Sequence, residues 1–136
     1  MVRIQLMALA LTSGVYAVVA APTARADDSV TYEVVSDYVD AADVEYLELS
    51  ERKVAHDVPL PWRTSATVKN IHSPSTGGAE VRADWRPHVC DGRAWCPEAG
   101  PNRWVTVRIY FQGIVICEST LDVGNAACYS SISFKT

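Results

Sequence analysis

The feature of this sequence that most limits its possible folds is the strict alternation in RWVTVRIYF, residues 103–111. The positions that would share one face of a strand are all apolar: Val105, Val107, Ile109 and Phe111. A strand points successive side chains to opposite faces, whereas a helix would scatter these four residues around its axis. We therefore predict a strand here with one buried face.

Six other segments have the composition of strands and are bounded by turn residues: 29–36, 43–50, 61–70, 78–85, 113–121 and 126–134. Tight turns are predicted at 111–113 and 122–125, and no segment after the N-terminal region shows sustained helical periodicity. About seven short strands in about a hundred residues predict an all-β fold in which two antiparallel sheets pack as a sandwich.

Two of these segments carry local irregularities. Pro59 and Pro61 precede the strand at 61–70, and because proline cannot donate to a central ladder, they predict an edge or a strand start. In 43–50 the apolar residues change face by one position, which predicts a bulge near Tyr46 and Leu47.

The N-terminal region predicts a secretory signal at residues 1–26, followed by a single domain at 27–136. Arg3 supplies a positive start, 6–21 is mostly apolar, and Ala24-Arg25-Ala26 has the small-x-small form of a cleavage site. The protein is then secreted or held in the cell envelope, with no transmembrane segment in the mature chain.

An uncleaved N-terminal anchor is the alternative to this signal. The apolar run is interrupted at Thr12, Ser13 and Gly14. It is therefore marginal against the roughly 20 residues that a spanning helix needs, and cleavage is the favoured reading.

The predicted mature part is acidic, because it keeps ten of the twelve Lys and Arg residues and all sixteen acids, a net charge of −6. Such a domain is poorly suited to bind nucleic acid. Residues 27–51 carry nine acids and no Lys or Arg. We expect ordinary solvated faces, with a bipolar surface that orients the domain against a partner as the alternative.

All four cysteines, Cys90, Cys96, Cys117 and Cys128, fall in the predicted mature part. An even number in an oxidising compartment favours two disulfides, for which three pairings exist. Cys117 and Cys128 lie on consecutive predicted strands around the turn at 122–125, where cross-strand neighbours are close enough to bond. This favours Cys117–Cys128 with Cys90–Cys96, and the other two pairings remain open.

The segment 86–102 is rich in Pro and Gly and is predicted to be a surface loop. His88, Cys90 and Cys96 would need a fourth ligand to hold zinc and lack the CxxC spacing of a knuckle or redox centre, so no metal is expected. Closed by a disulfide, the loop would present Arg93 and Trp95 as candidate contact residues, because preorganisation lowers the entropy cost of binding. The alternative is that Trp95 folds back onto the sandwich.

No catalytic pattern stands out elsewhere. There is no GxSxG elbow, and the histidines at 56, 72 and 88 stand in no distinguishing context. We expect a binding domain without catalysis and without a cofactor. Trp62 and Trp104 are expected to fill the core or its rim.

Five segments, taken in order, resemble the MmpS family of small actinobacterial envelope proteins. They are VTYEV (30–34), ADVEYLEL (42–49), VPLPW (58–62), VTVRIYFQG (105–113) and GNAACY (124–129). The resemblance implies an immunoglobulin-like β-sandwich that faces the periplasm. It also implies a non-catalytic accessory role for an MmpL-type exporter of lipids or siderophores, with that transporter or an apolar cargo as the partner.

The chain departs from the family pattern in three respects. Family members usually keep an N-terminal transmembrane helix, where this chain has a predicted signal. Cys128 matches the family's late cysteine, but the earlier cysteine position falls at Val107, and Cys117 lies one strand later. The connection 71–102 also looks longer than in the family. These differences leave a second hypothesis, a free secreted binding or effector module that uses the 86–102 loop.

Overall fold

The structure, a computed structural model, describes residues 20–21, 26–89 and 102–132. It contains eight strands: β1 Asp28–Val35, β2 Ala41–Glu48, β3 Glu51–Pro59, β4 Trp62–Val68, β5 Glu80–Asp84, β6 Val105–Phe111, β7 Ile114–Leu121 and β8 Asn125–Tyr129. A single helical turn, α1, spans Arg86–Val89, and a 3-10 turn spans Ser130–Ile132. Apart from residues 20, 21 and 26, the predicted signal at 1–26 lies outside the described residues.

The strands form two antiparallel four-stranded sheets. Sheet 1 has the order β4-β1-β6-β7, and sheet 2 has the order β3-β2-β5-β8. The predicted all-β class and two-sheet architecture are confirmed. In the part of the chain that the structure describes, no helix has the length and apolar character needed to cross a membrane.

One hydrophobic core is shared by both sheets. The alternation predicted for 103–111 is observed, since Val105, Val107 and Ile109 are fully buried while Thr106 and Arg108 are not. Sheet 2 contributes the remaining wall through β2, β5 and β8, which pack their alternate residues against β1 and β6. Each fully buried aliphatic side chain contributes about 1.5–3 kcal/mol, so this shared core holds the two sheets together.

The eighth strand, β3, was not predicted from the sequence. It pairs only with β2, and most of its residues are exposed, including Val54 and Arg52. A strand without a buried face has no reason to alternate apolar and polar residues. Its existence is therefore decided by the hydrogen bonds of the β2–β3 hairpin.

The predicted bulge near Tyr46 and Leu47 is wrong in position. The irregularity lies between Ala42 and Val44, and the β2–β3 register runs regularly through 46 and 47. The adjacent apolar residues have another cause, because Tyr46 is the last residue of β2 that pairs with β5. Leu47 lies one position beyond that point, is buried, and lines a cavity together with Ser73 and Pro74 of the connection between β4 and β5.

The proline prediction is confirmed. Pro59 ends β3 and Pro61 precedes β4, and both strands lie at sheet edges. Here a missing N–H removes no ladder hydrogen bond from a central strand.

Acids and bases that are separated along the sequence lie side by side on the outer face of sheet 1. Glu33 of β1 contacts Arg63 of β4 at 3.1 Å and Arg108 of β6 at 2.9 Å. Arg108 in turn pairs with Glu118 of β7. These charges alternate across four strands, so on this face the uneven distribution along the chain does not produce a bipolar surface.

Every second connection lies at the same end of the molecule, because consecutive strands run in opposite directions. We call this end the loop pole; its connections are 36–40, 60–61, 85–104 and 122–124. All four of them lead from one sheet to the other, and hydrogen bonds join them in pairs. The Leu60 amide donates to the Asp40 carbonyl at 2.9 Å, and the Trp85 amide donates to the Gly124 carbonyl at 3.0 Å.

Candidate binding site at the loop pole

A disulfide joins Cys117 of β7 to Cys128 of β8, with the Cα atoms 5.8 Å apart. The pairing agrees with the sequence prediction, but the expected hairpin is wrong. β7 lies in sheet 1 and β8 in sheet 2, because the turn at 122–124 crosses the core instead of reversing within one sheet. The disulfide therefore links the two sheets covalently through two of their edge strands.

The expected second disulfide, Cys90–Cys96, lies outside the described residues. The candidate contact residues Arg93 and Trp95 lie outside them as well. The structure does describe the chain on both sides of this segment, up to Val89 and from Asn102 onward.

The N-terminal side of the segment is fixed by His88 in α1. Its Nε2 lies 3.0 Å from Asp43 Oδ1, and its Nδ1 lies 3.2 Å from Asp57 Oδ1. The two ring nitrogens therefore contact two different carboxylates, one on β2 and one on β3. α1 is thereby fastened to the β2–β3 edge of sheet 2.

Asp43 is the centre of this cluster. Burial acts to raise its pKa, but the hydrogen bond from the Asp57 amide at 2.8 Å and those from His88 and His56 outweigh burial. The net effect holds the pKa of Asp43 below its usual value. The carboxylate therefore stays charged and keeps its partners over the whole neutral range.

Trp85, immediately before α1, is fully buried in the core. Its indole Nε1 has no hydrogen-bond partner among the residues that the structure describes. Trp85 is therefore a core residue. Trp104 was expected to fill the core or its rim, and the structure shows the second of these positions. Trp104 lies at the rim and is 41% exposed.

The C-terminal side of the segment is fixed by two hydrogen bonds. Ser36 Oγ donates to the Trp104 carbonyl at 2.7 Å, and the Asn102 amide donates to Asp122 Oδ2 at 3.1 Å. Ser36 Oγ also accepts from the amide of Tyr38 at 3.0 Å, so one hydroxyl orders two connections at the pole.

Four large apolar side chains are exposed at this pole. They are 39% to 61% exposed and come from three different connections and the end of β7: Tyr38, Trp104, Leu121 and Val123. We call them the pole patch. Exposed apolar residues gathered at one end of a small domain are typical of an interaction site, and aromatic residues are enriched in such sites.

Sequence reasoning identified this end of the molecule through the 86–102 loop but missed Tyr38, Leu121 and Val123. They lie at separate places in the sequence, and each is adjacent to an aspartate, Asp37 or Asp122. No local signal distinguishes them, because they become a surface only when the connections meet.

The pole patch offers apolar contact surface. Within 26–89 and 102–132, no group of three or more His, Cys, Asp and Glu side chains is placed to hold a metal ion. Comparison with protein-family models and with curated protein sequences finds no match to this chain.

Proposed function

We propose that this chain is an exported, non-catalytic binding domain of the MmpS type that supports an MmpL-type exporter of lipids or siderophores. Its fold is taken as an immunoglobulin-like sandwich whose contact surface is the loop pole. The observation that carries the proposal is the pole patch, four exposed apolar side chains collected on a scaffold tied together by core, hydrogen bonds and disulfide.

The position of the cysteines supports the resemblance. The family's earlier cysteine corresponds to Val107, and in this structure the Cys128 sulfur lies 3.7 Å from the Val107 carbonyl oxygen. Cys128 is therefore close to both candidate partners, one on β6 and one on β7. A disulfide from Cys128 to either position would join β8 of sheet 2 to sheet 1. The architecture could therefore be the same as in the family even though the partner cysteine lies on a different strand.

The inter-sheet disulfide also supports export. Disulfides persist in oxidising compartments and are rare in the reducing cytosol of most organisms. A signal at 1–26 would deliver the chain to such a compartment.

The pole patch fits an apolar partner or cargo better than a charged one. Burying an aromatic residue such as Trp104 against a partner contributes more binding energy than a rim charge does. Ser36 holds the backbone of Tyr38 and Trp104 in place, so little order has to be gained on binding.

Site-specific photocrosslinking in the native envelope tests the proposal. A benzophenone amino acid replaces Tyr38 or Val123 at the pole, and Val54 on β3 in a matched control, because Val54 is equally apolar and exposed but lies away from the pole. We expect the pole variants to capture an MmpL-type transporter or a lipid-like molecule and the Val54 variant to capture neither. Equal labelling from all three positions, or none, would refute the accessory role.

A free secreted binding or effector module is the second candidate. It is favoured by the fixed ends of the segment 90–101, since His88 is held by two carboxylates and Trp104 by Ser36. N-terminal sequencing of the native protein separates the candidates. A chain that begins at Asp27 and is found in the culture filtrate supports the free module, and an intact N-terminus in the membrane fraction supports the anchored accessory.

A further inference from the structure

The outer face of sheet 2 carries a groove of about 440 Å³ that lies apart from the pole patch. One cross-strand row forms its floor, because the pairing register aligns Val54 of β3, Glu45 of β2, Arg82 of β5 and Ala127 of β8. The last side chain of the row, that of Ala127, is a single methyl group. The surface therefore has a depression over Ala127, at the open edge of the sheet.

Asn125 and Tyr129 flank this depression on its two sides. They share the outer face of β8 with Ala127, which lies midway between them. Four residues of strand span about 13 Å, which gives a notch with a side-chain amide at one end and an aromatic ring at the other. The Tyr129 ring also borders a second cavity of about 250 Å³, which is lined by Ser73, Ser75 and Ser131 among others.

Four of the charged residues that line the groove already have ion-pair partners within the protein. Glu45 pairs with Arg52 at 3.4 Å, Arg82 with Glu80, and Asp84 with Arg86 at 2.6 Å. A charged ligand would have to compete with a partner that is already in place. The arrangement therefore disfavours anions and cations alike.

An acyl chain is also a poor fit. The aliphatic residues of the lining are Val54 and three alanines, of which Ala83 and Ala126 are buried. Covering the surrounding ion pairs with hydrocarbon would remove their hydration without replacement. The pole patch differs from the groove because it consists of exposed apolar side chains.

Two polar groups remain available to a ligand. In the described part of the chain, neither the Asn125 amide nor the Tyr129 hydroxyl has a hydrogen-bond partner. The amide offers two donors and an acceptor, and the hydroxyl offers one donor and an acceptor. The Tyr129 ring adds a flat apolar surface, with the Arg82 guanidinium centre 5.7 Å from the ring centroid.

The geometry points to a binding site for a neutral oligosaccharide in this groove, with Tyr129 stacking on a sugar ring and Asn125 and Arg82 hydrogen bonding to its hydroxyl groups. A sugar is uncharged, carries hydroxyls that both donate and accept, and has an apolar C–H face that suits an aromatic ring. Tyr129 lines both the groove of about 440 Å³ and the second cavity of about 250 Å³, so the proposal is for an oligosaccharide and not for a single sugar.

The test is a titration of the ¹⁵N-labelled, disulfide-intact native protein followed by amide chemical shifts. The probes are maltotriose, cellotriose and α-1,6-mannotriose, with octanoate and an uncharged Gly-Ser hexapeptide as non-sugar probes. We expect at least one trisaccharide to give saturable shifts centred on Arg82, Asn125 and Ala127. No binding by any of the three sugars overturns the proposal, and so does equal binding of octanoate or the peptide at these residues.

Variants locate the site. Tyr129→Ala is expected to weaken binding about tenfold or more, because it removes the stacking surface. Tyr129→Phe keeps the ring and is expected to retain most of the affinity, and Asn125→Ala is expected to weaken it severalfold. These two variants also decide the matter if Tyr129→Ala fails to fold.

Val123→Ala at the pole patch is the matched control, and its sugar affinity is expected to be unchanged. A loss of affinity in Val123→Ala with none in Asn125→Ala would place sugar binding at the pole and overturn the groove assignment. Val123 belongs to the surface assigned to the exporter and does not line the groove. The two proposals are therefore tested separately, and failure of one does not refute the other.

Discussion

The hydroxyl of Tyr32 in β1 crosses the core and donates a 2.7 Å hydrogen bond to the carbonyl of Leu47 in β2. It also accepts from the amide of Glu80 in β5 at 3.4 Å. These two backbone groups lie where the β2–β5 ladder ends, just beyond the pair Tyr46 and Val81. A side chain of sheet 1 thus satisfies the last polar groups between two strands of sheet 2.

Tyr32→Phe tests this arrangement. The substitution leaves the Leu47 carbonyl and the Glu80 amide without their buried partner, and each such group costs about 1–3 kcal/mol. We expect a loss of about 2 kcal/mol in the free energy of unfolding, measured by urea denaturation. Tyr110→Phe is the control, because its hydroxyl bonds to Glu33 on the outer face. If both variants lose the same stability, the buried position of Tyr32 has no special effect.

Removal of the inter-sheet disulfide by Cys117→Ser and Cys128→Ser is expected to cost about 2–4 kcal/mol. The main physical reason is that the crosslink lowers the conformational entropy of the unfolded chain, and a chain without the crosslink regains that entropy. Guanidinium denaturation of the oxidised wild type and the double variant measures the difference. A loss that reduction of the wild type does not reproduce would contradict this account.

The proximity of Val107 to Cys128 allows the crosslink to be moved. We expect Val107→Cys combined with Cys117→Ser to form a disulfide between the introduced thiol on β6 and Cys128, since the Cys128 sulfur already lies 3.7 Å from the Val107 carbonyl oxygen. Non-reducing peptide mapping gives the connectivity. Two free thiols in the folded, air-oxidised variant would mean that β6 and β8 do not present the geometry a disulfide needs.

Stability is expected to fall in acid. Burial acts to raise the pKa of Glu33, but hydrogen bonds from Arg108 and Tyr110 and the charges of Arg63 and Arg108 lower it overall, and the pKa of Asp43 is lowered as well. Carboxyl groups with a lower pKa in the folded state stabilise it above their unfolded values, about 4.3 for Glu and 3.9 for Asp, and lose that contribution as the pH falls below them.

We therefore expect the free energy of unfolding to be nearly constant from about pH 7 to pH 5 and to decrease steadily below about pH 4.5. Urea denaturation at a series of pH values measures it. Glu33→Gln removes one of the two groups and should flatten the decrease, whereas Glu51→Gln, at an exposed surface pair, should not. An unchanged slope in Glu33→Gln would contradict the assignment.

His88→Ala is expected to release α1 from sheet 2 while the core stays intact. Amide hydrogen exchange at 86–89 should become faster, with little change at β5 or β6, because the two carboxylate contacts hold the helical turn. His56→Ala is the matched control, since His56 also contacts Asp43, at 3.4 Å, but is largely exposed. Equal acceleration in both variants would show that the position of His88 is not what holds the turn.

The sequence predicted most strands because alternation is a local property. In 105–111 each residue's burial follows from its place in the alternation, and the neighbouring strands in 28–35 and 62–68 follow for similar reasons. β3 could not be predicted in this way, because it is an edge strand in which no residue is fully buried and its apolar and polar residues do not alternate.

The candidate sites were less accessible to sequence analysis. His88 was considered as a zinc ligand, and the structure shows it bound to Asp43 and Asp57, residues 45 and 31 positions earlier in the chain. Asn125 fell in the predicted turn at 122–125 and Tyr129 in the predicted strand at 126–134, and their relation to Arg82 depends on the β5–β8 register.

By itself, the sequence determined that the chain forms antiparallel strands and which faces of those strands are buried. It favoured the Cys117–Cys128 pairing, but through a hairpin that does not form. Only the tertiary structure decided that the turn at 122–124 crosses the core, so that the disulfide joins two sheets and the apolar connections meet at one pole. The physical reason is that alternation fixes the direction in which a side chain points but carries no information about which strand lies next to it. That choice is made when both sheets bury their apolar faces against each other.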